Sequence, residues 1–478
     1  MTKRNFRRLG VLTILSSSLL LMCAPAEDDT QSQEGELLGF NKTSNWNDRV
    51  SWKPKEKVQP KSIQELQSIL REKDKVRLGG SLHSLNESLV ADKGTVWVDM
   101  KGLNRVDKVQ KEADGSHTVW VDGGATVERI SGELAAQGFS FENLPTSKDI
   151  TIGGAIANAV HGSSRDRGAM LVDQVVGMEI VDTEGNLHTV VDEPTLKLVR
   201  VGIGSLGATA RVKLRVVEDF QLVHEKIGGA CSDMRKVVDE HDHAIIWYDP
   251  VDETCAFDVW DAVDTPAELA RAHALRETGN VKADYEKRSL AEIIKTKGAF
   301  ALADHNGAVR DKIRREAMKP VPATVGDARF QFQMWLDLPA RDMSYAIPYK
   351  ELEAALKEVK AEFAAIGYTP HFPFGMRVER VTDTSIMAPN YGVTSDDRVI
   401  HVETLSIMPM SGGDASFAAF EKVMLRHQGR THWGKEFSEV PKLAPEVRSR
   451  FETVRAKFDP KRKLVNEWVA RYVLDDGQ

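Results

Sequence analysis

Metal-ligand spacing is missing from this sequence. Its 478 residues hold three cysteines and 13 histidines, and none fall into the closely spaced Cys/His sets that a zinc site requires. Two of the cysteines, Cys231 and Cys255, lie in the body of the chain. They can pair in an oxidising compartment, but one pair is not a disulfide framework. A basic stripe is missing too. The formal net charge is -7 with lysine and arginine scattered, which argues against nucleic acid as a partner. The apolar run at residues 9–22 covers 14 residues, short of the roughly 20 that a membrane-spanning helix needs. No repeats or low-complexity tracts follow residue 44.

What is present first is an export signature. Lys3, Arg4, Arg7 and Arg8 precede the apolar run, the order of a signal peptide over residues 1–22. Cys23 follows directly, where a bacterial lipoprotein carries its lipid and so gains membrane attachment. Cleavage near Ala24-Pro25-Ala26, giving an ordinary secreted protein, is the alternative, and Arg7-Arg8 also admits twin-arginine export. The expected location is the periplasm or a membrane-anchored lipoprotein. Residues 23–44 are polar and acidic and read as a flexible tether.

Beyond the tether, strands and helices alternate. Ser62 with Glu65 forms a capping box ahead of Ile63, Leu66, Ile69 and Leu70 on one helical face. Strands are expected at 75–78, 96–100, 117–122 and 210–217, a helix at 127–137, and a hairpin from 178–182 to 187–191. From about residue 221 the texture changes. Strands are read at 244–248 and 330–335, charged helices over 266–318, an amphipathic helix at 349–367 and a helical tail at 443–458. The pattern predicts an α+β fold with two lobes.

Two stretches carry the chemistry. Gly79-Gly80-Ser81-Leu82-His83-Ser84 follows a strand and can turn backbone N–H groups toward a pyrophosphate, although a plain β-turn fits these residues equally well. Ile150-Thr151-Ile152-Gly153-Gly154-Ala155-Ile156 with Ala159-Val160-His161-Gly162 concentrates small residues. Such crowding suits backbone that approaches a large flat group, or close helix–strand packing.

These segments resemble the FAD-linked oxidases of the vanillyl-alcohol-oxidase superfamily, in the aldonolactone and alditol oxidase branch. The first is similar to the family's GSGHS turn and the second to its ISVGG…HG segment, at the family's spacing. Asn45-Trp46, the 201–209 segment, Tyr345-Ala346-Ile347-Pro348, Thr431-His432-Trp433-Gly434-Lys435 and Asp459-Pro460 with Asn466 are similar to further family signatures. The resemblance implies a PCMH-type FAD-binding domain at 45–220, made of two α/β subdomains, an α+β substrate cap at 221–436, and a segment at 437–478 returning to the first domain.

It also implies FAD, attached covalently through His83. Gly79, Gly80, Ser81, Leu82, Ser84, Thr151, Gly153, Gly154, Ile156, Ala159, Val160, His161 and Gly162 would surround the flavin, and Gly207 and Thr209 would lie toward the adenine. The reaction would be oxidation of a CH–OH group of a polyol, aldonolactone or related alcohol by hydride transfer to flavin N5, with O2 or another electron acceptor. Lys435, Arg377, His401 and Glu403 are the catalytic candidates, and Thr151, Arg377, Glu403 and Lys435 the substrate contacts. His401 and Glu403, two apart on one strand face, could act as base and orienter.

The chain departs from the family at two places. Leu82 stands where a glycine is common, and Gly375 stands where a glutamate precedes the arginine matched by Arg377. Glu379 and Glu403 are the candidate replacements. Gly375 also keeps a competing class open: a ligand-binding lipoprotein on the same scaffold, which a flavin spectrum would distinguish.

Overall fold

The computed structural model describes residues 42–475 except 167, 286–288, 334–339 and 408–410. The export signature at residues 1–23 therefore lies outside the described residues, as does most of the tether. In the first lobe, β1 (Glu56–Val58), β2 (Val76–Gly79) and β3 (Val96–Asp99) form a parallel sheet in the order β1-β3-β2. The helix Ile63–Glu72 covers it. Its N-cap Ser62 accepts from the Glu65 N–H, and Leu66 and Leu70 are fully buried, a cap worth about 1 kcal/mol.

A second sheet runs β6-β5-β7-β4 from β4 (His117–Asp122), β5 (Val175–Val181), β6 (Leu187–Val190) and β7 (Ala208–Glu218). The β5–β6 hairpin turns where Asp182 accepts the N–H groups of Glu184 and Asn186 and Gly185 takes φ +87.

The second lobe is an eight-stranded antiparallel sheet in the order β11-β8-β10-β9-β13-β14-β12-β15. Its strands are β8 (Gln221–Gly229), β9 (His243–Asp249), β10 (Thr254–Ala262), β11 (Val321–Asp327), β12 (Ala340–Pro348), β13 (Phe374–Arg380), β14 (Arg398–Ile407) and β15 (Arg430–Thr431). Strand side chains alternate between faces. Ile246, Phe374, Met376, Val378, Ile400 and Val402 pack under the helices Leu352–Ala365 and Gly413–Arg426. The opposite face, carrying Trp247, Gly375, Arg377, His401 and Glu403, turns toward the first lobe. Leu352, Leu356, Val359 and Phe363 are all buried, as the helical spacing predicts.

The tail returns to the first lobe. Val447, Phe451, Val465 and Trp468 join its core. Asp459 accepts from the Lys463 and Leu464 N–H groups and from Thr183 Oγ1. Asn466 donates to the carbonyls of Glu87, Ser88 and Val90, so the end of the chain ties down the segment after the 79–86 turn. Cys231 and Cys255 form a disulfide with Cα atoms 5.1 Å apart.

One element differs from expectation. The strand read at 330–335 is a helical turn, Ala328–Gln331, and the strand precedes it as β11; residues 334 and 335 are outside the described set. The alternation of Phe330, Gln331, Phe332 and Gln333 is not a wet and a dry face, because all four are buried. Gln331 donates to the Thr324 carbonyl and Gln333 to the Pro145 carbonyl, so these amides find buried partners instead of water.

Candidate active site

The two small-residue stretches meet. A Cβ on Gly79 would enter the Trp97 ring, and one on Gly80 would overlap the Thr151 side chain. A Cβ on Gly153 would stand 2.8 Å from the Gly123 carbonyl oxygen, whose position is fixed by the Gly153 N–H at 2.8 Å. Space this tight requires glycine. Leu82 keeps the backbone that a glycine would favour, at φ +60, while its side chain packs beside Trp52 and Trp97. The strained dihedral costs on the order of 1 kcal/mol, which that packing helps to offset.

Sequence-distant signatures hold this turn. Trp46 donates its N–H to the Leu82 carbonyl, Asn45 Nδ2 donates to the Ser84 carbonyl, and the Trp46 ring stacks over His83 at 5.9 Å. Asn86 Nδ2 reaches the carbonyls of Trp433 and Lys435, both at 2.7 Å. On the far side the Arg77 guanidinium clamps the carbonyls of Ile203, Gly204 and Leu464. Burial lowers its pKa to about 10.

Between these walls lies a cavity of about 600 Å3. It is lined by Gly79, Gly80, Ser81, Leu82, His83, Ser84, Thr151, Gly153, Gly154, Val160, His161, Gly207 and Thr209. Three residues expected there are elsewhere. Ile156 and Ala159 are buried in the first-lobe core. Gly162 is closed off by neighbouring backbone, since its Cβ would lie 2.5 Å from the Leu144 carbonyl oxygen. At Ala159 and Gly162 small size serves close packing, and Ile156 is an ordinary core side chain. Gly80→Ala should therefore lower flavin content severely while leaving the rest of the fold intact, as read from flavin absorbance relative to protein and a melting curve.

The cap contributes charge to the same cavity. Register places Gly375 opposite both Trp247 on β9 and Glu403 on β14, and Arg377 opposite His401. Because Gly375 has no side chain, the neighbouring strand fills its place. A Cβ there would stand 3.2 Å from the Trp247 ring and 3.7 Å from Glu403 Oε2. That carboxylate pairs with Arg377 Nη1 at 2.5 Å.

On the other side of β14, Asp342 of β12 pairs with the Lys435 ammonium. The β15 loop sets that lysine: the His432 N–H donates to the Ser344 carbonyl, the Lys435 N–H to the His432 carbonyl, and the Glu436 N–H to the Asp342 carbonyl. Arg377, Glu403, Asp342 and Lys435 all line the cavity. Two cations and two anions share one space, and because three of the four are buried their electrostatic interactions are stronger than in bulk water.

The environment splits the two carboxyl groups. Burial raises Glu403, but Arg377 and Lys435 outweigh it and hold the group down to about 2. Burial raises Asp342 with only Lys435 strongly opposing, and Glu403 adds to the rise, so Asp342 is pushed up to about 6. Burial works against the Lys435 ammonium, yet Asp342 and Glu403 keep its pKa above the ordinary lysine value. His432 is pushed down to about 3 by burial and by Lys435.

His401 does not pair with Glu403. Its Nε2 meets Glu379 Oε1 at 2.9 Å, its ring stacks on His161 at 3.7 Å, and neither His401 nor Glu379 lines the cavity. Glu379 is therefore not the carboxylate beside Arg377. Both Asp342 and Trp247 escaped the sequence reading. Asp342 gave little signal, since it follows Arg341 directly and only strand alternation places it on the same face as Ser344.

Residues 212–472, more than half of the chain, match the D-arabinono-1,4-lactone oxidase family, and residues 54–190 match the FAD binding domain family. Among curated relatives, the L-gulono-1,4-lactone dehydrogenase of Mycobacterium tuberculosis is 26% identical over 442 residues, covering 90% of this chain and 98% of its own. The L-gulonolactone oxidase of Scyliorhinus torazame is 22% identical over 451 residues, covering 89% and 97%. Among solved structures, a cholesterol oxidase from B. sterolicum superposes with a TM-score of 0.68 at 16% identity, covering 91% of this chain and 96% of that one. That similarity is one of fold.

Proposed function

The chain belongs to the D-arabinono-1,4-lactone oxidase family, and from that premise we propose that it oxidises the CH–OH carbon of an aldono-1,4-lactone in the cavity between its lobes. It is an FAD-dependent oxidoreductase acting on CH–OH donors. The residues present fit FAD. Gly79, Gly80 and Gly153 line the cavity with bare backbone, a cradle backed so closely by Trp97, Thr151 and the Gly123 carbonyl that no Cβ fits. The 79–84 turn, Thr151, Gly153 and Gly154 would hold the isoalloxazine and ribityl parts, with Gly207 and Thr209 toward the adenine. FAD, when bound, supplies a two-electron acceptor for the hydride of the carbinol carbon.

The chain's own residues do the rest. Arg377 and Lys435 present fixed positive charge to a lactone or hydroxyl oxygen, and Glu403 accepts a neighbouring hydroxyl proton in a hydrogen bond while it holds Arg377. The fixed, partly buried positions of these charges are what would favour developing negative charge on the substrate oxygen. The observation that carries this reading is the opening of the Arg377–Glu403 and Asp342–Lys435 pairs into the same cavity as the glycine cradle. The test is turnover of L-gulono- and D-arabinono-1,4-lactone alongside alditols, with peroxide detection and, separately, an artificial electron acceptor. Peroxide in air identifies an oxidase. Turnover with the acceptor alone identifies a dehydrogenase, and no turnover with either refutes the proposal.

His83 is proposed to carry the flavin covalently; it lines the cavity beside Trp46. Acid precipitation of the wild type should then leave flavin with the protein, whereas His83→Ala should release it to the supernatant. Export is proposed on the leader at residues 1–23, with lipid on Cys23 as the means of membrane attachment. The Cys231–Cys255 disulfide supports an oxidising compartment.

A further inference from the structure

The proton released by the substrate hydroxyl needs an acceptor in the cavity. We infer that Asp342 is that acceptor, its carboxylate taking the proton while it stays beside Lys435. This rests on the proposed oxidation of a CH–OH group. Asp342 lines the cavity, is bound to Lys435 through Oδ2, and leaves Oδ1 buried with no hydrogen-bond partner. An unpaired buried carboxylate oxygen is costly, which favours taking up a proton.

Three other basic groups in the cavity are engaged or depressed. Glu403 is held by Arg377 at 2.5 Å. His432 Nδ1 accepts the Gly434 N–H at 3.0 Å, which leaves Nε2 as the protonated nitrogen. His161 is depressed well below the usual histidine range by burial and by His401. The charged groups facing Asp342 come from three other elements: Lys435 from the β15 loop, Glu403 from β14 and Arg377 from β13. Their balance leaves Asp342 ionised above about pH 6 and ready to take a proton.

The step balances. The O–H bond breaks and its proton joins the Asp342 carboxylate. The C–H bond breaks and its hydride leaves to the oxidised FAD as the C=O bond forms. Asp342 later returns the proton to water, and the external acceptor removes the two electrons. Before the step the four side chains sum to zero charge. After it they carry one net positive charge, in the same cavity as the group that has received the electrons, which is the favourable sign.

The test is anaerobic flavin bleaching by an aldonolactone, followed across pH for the wild type, Asp342→Asn and Asp342→Glu. The wild-type rate should rise through about pH 6 and then level. Asp342→Asn should bleach roughly 100-fold or more slowly with no acid limb, and Asp342→Glu should restore a limb. An Asp342→Asn protein that keeps its flavin, its melting temperature and the acid limb overturns the assignment. If Asp342→Asn does not retain flavin, time-resolved infrared spectra of the wild type during bleaching above about pH 6 decide: a protonated-carboxyl band that rises with the bleaching and decays as the proton passes to water is expected, and its absence overturns the assignment. A wild type that no CH–OH donor bleaches refutes the functional proposal itself, a separate outcome.

Discussion

Lys435→Met is expected to keep its flavin and to lose roughly 100- to 1,000-fold in turnover, the usual consequence of removing one fixed charge from a preorganised site. The substitution leaves Asp342 and Glu403 as two carboxyl groups in one cavity with only Arg377 between them. Lys435 is a principal force lowering both, so both rise when it goes, and Asp342 becomes protonated over a wider pH range. Turnover should therefore fall most on the acid side of the profile. Breaking a buried pair by removing one partner costs about 3–5 kcal/mol. The loss here should be smaller, because Lys435 opens onto the cavity and Asp342 can neutralise itself by taking a proton. Flavin content is the control, since Lys435 reaches the 79–86 turn only through its backbone carbonyl at Asn86. Near-normal turnover would show that the ammonium has no part in the reaction.

Glu403→Gln should cost about 100-fold in kcat/KM, the loss expected of one charged contact in a site that excludes water, whereas Glu379→Gln should have a much smaller effect. The contrast follows from placement: Glu403 faces the cavity beside Arg377, and Glu379 is sealed against His401. A compensating pair tests the same geometry. Gly375→Glu alone puts a third carboxylate against Trp247 and Glu403, and should depress activity. In a Glu403→Thr background it returns a carboxylate to Arg377 from the arginine's own strand, where residues two apart share a face. That double variant should recover at least 10-fold over Glu403→Thr, as measured by lactone-dependent flavin reduction. Equal losses in Glu379→Gln and Glu403→Gln, or a double variant no better than Glu403→Thr, would contradict the assignment of Glu403.

Much of this was legible in the sequence because local signals are strong there. Ser62, Leu66 and Leu70 declare a helix, and the alternation in β7 and the short apolar runs of β4 and β9 declare strands. Gly79, Gly80 and Gly153 declare tight backbone because no other residue fits. What the sequence hid depends on register between strands far apart in the chain. Glu403 stands opposite Gly375 only because β13 and β14 pair as they do. His401 shares a face with Glu403, yet the ring of His161 and the carboxylate of Glu379 draw it away from the cavity. Asp342 carries no motif, and its burial beside Lys435 is set by the β15 loop folding back onto β12. Ala159 and Gly162 misled for the opposite reason: small residues mark close approach, and only the structure tells whether the neighbour is a ligand or backbone.

The most direct measurement is the visible spectrum of the purified wild-type protein before and after anaerobic addition of an aldono-1,4-lactone. A flavin spectrum that the lactone bleaches, and that returns when an electron acceptor is admitted, is the predicted result. A folded protein without flavin, or a flavin that neither lactones nor other alcohols reduce, would contradict it.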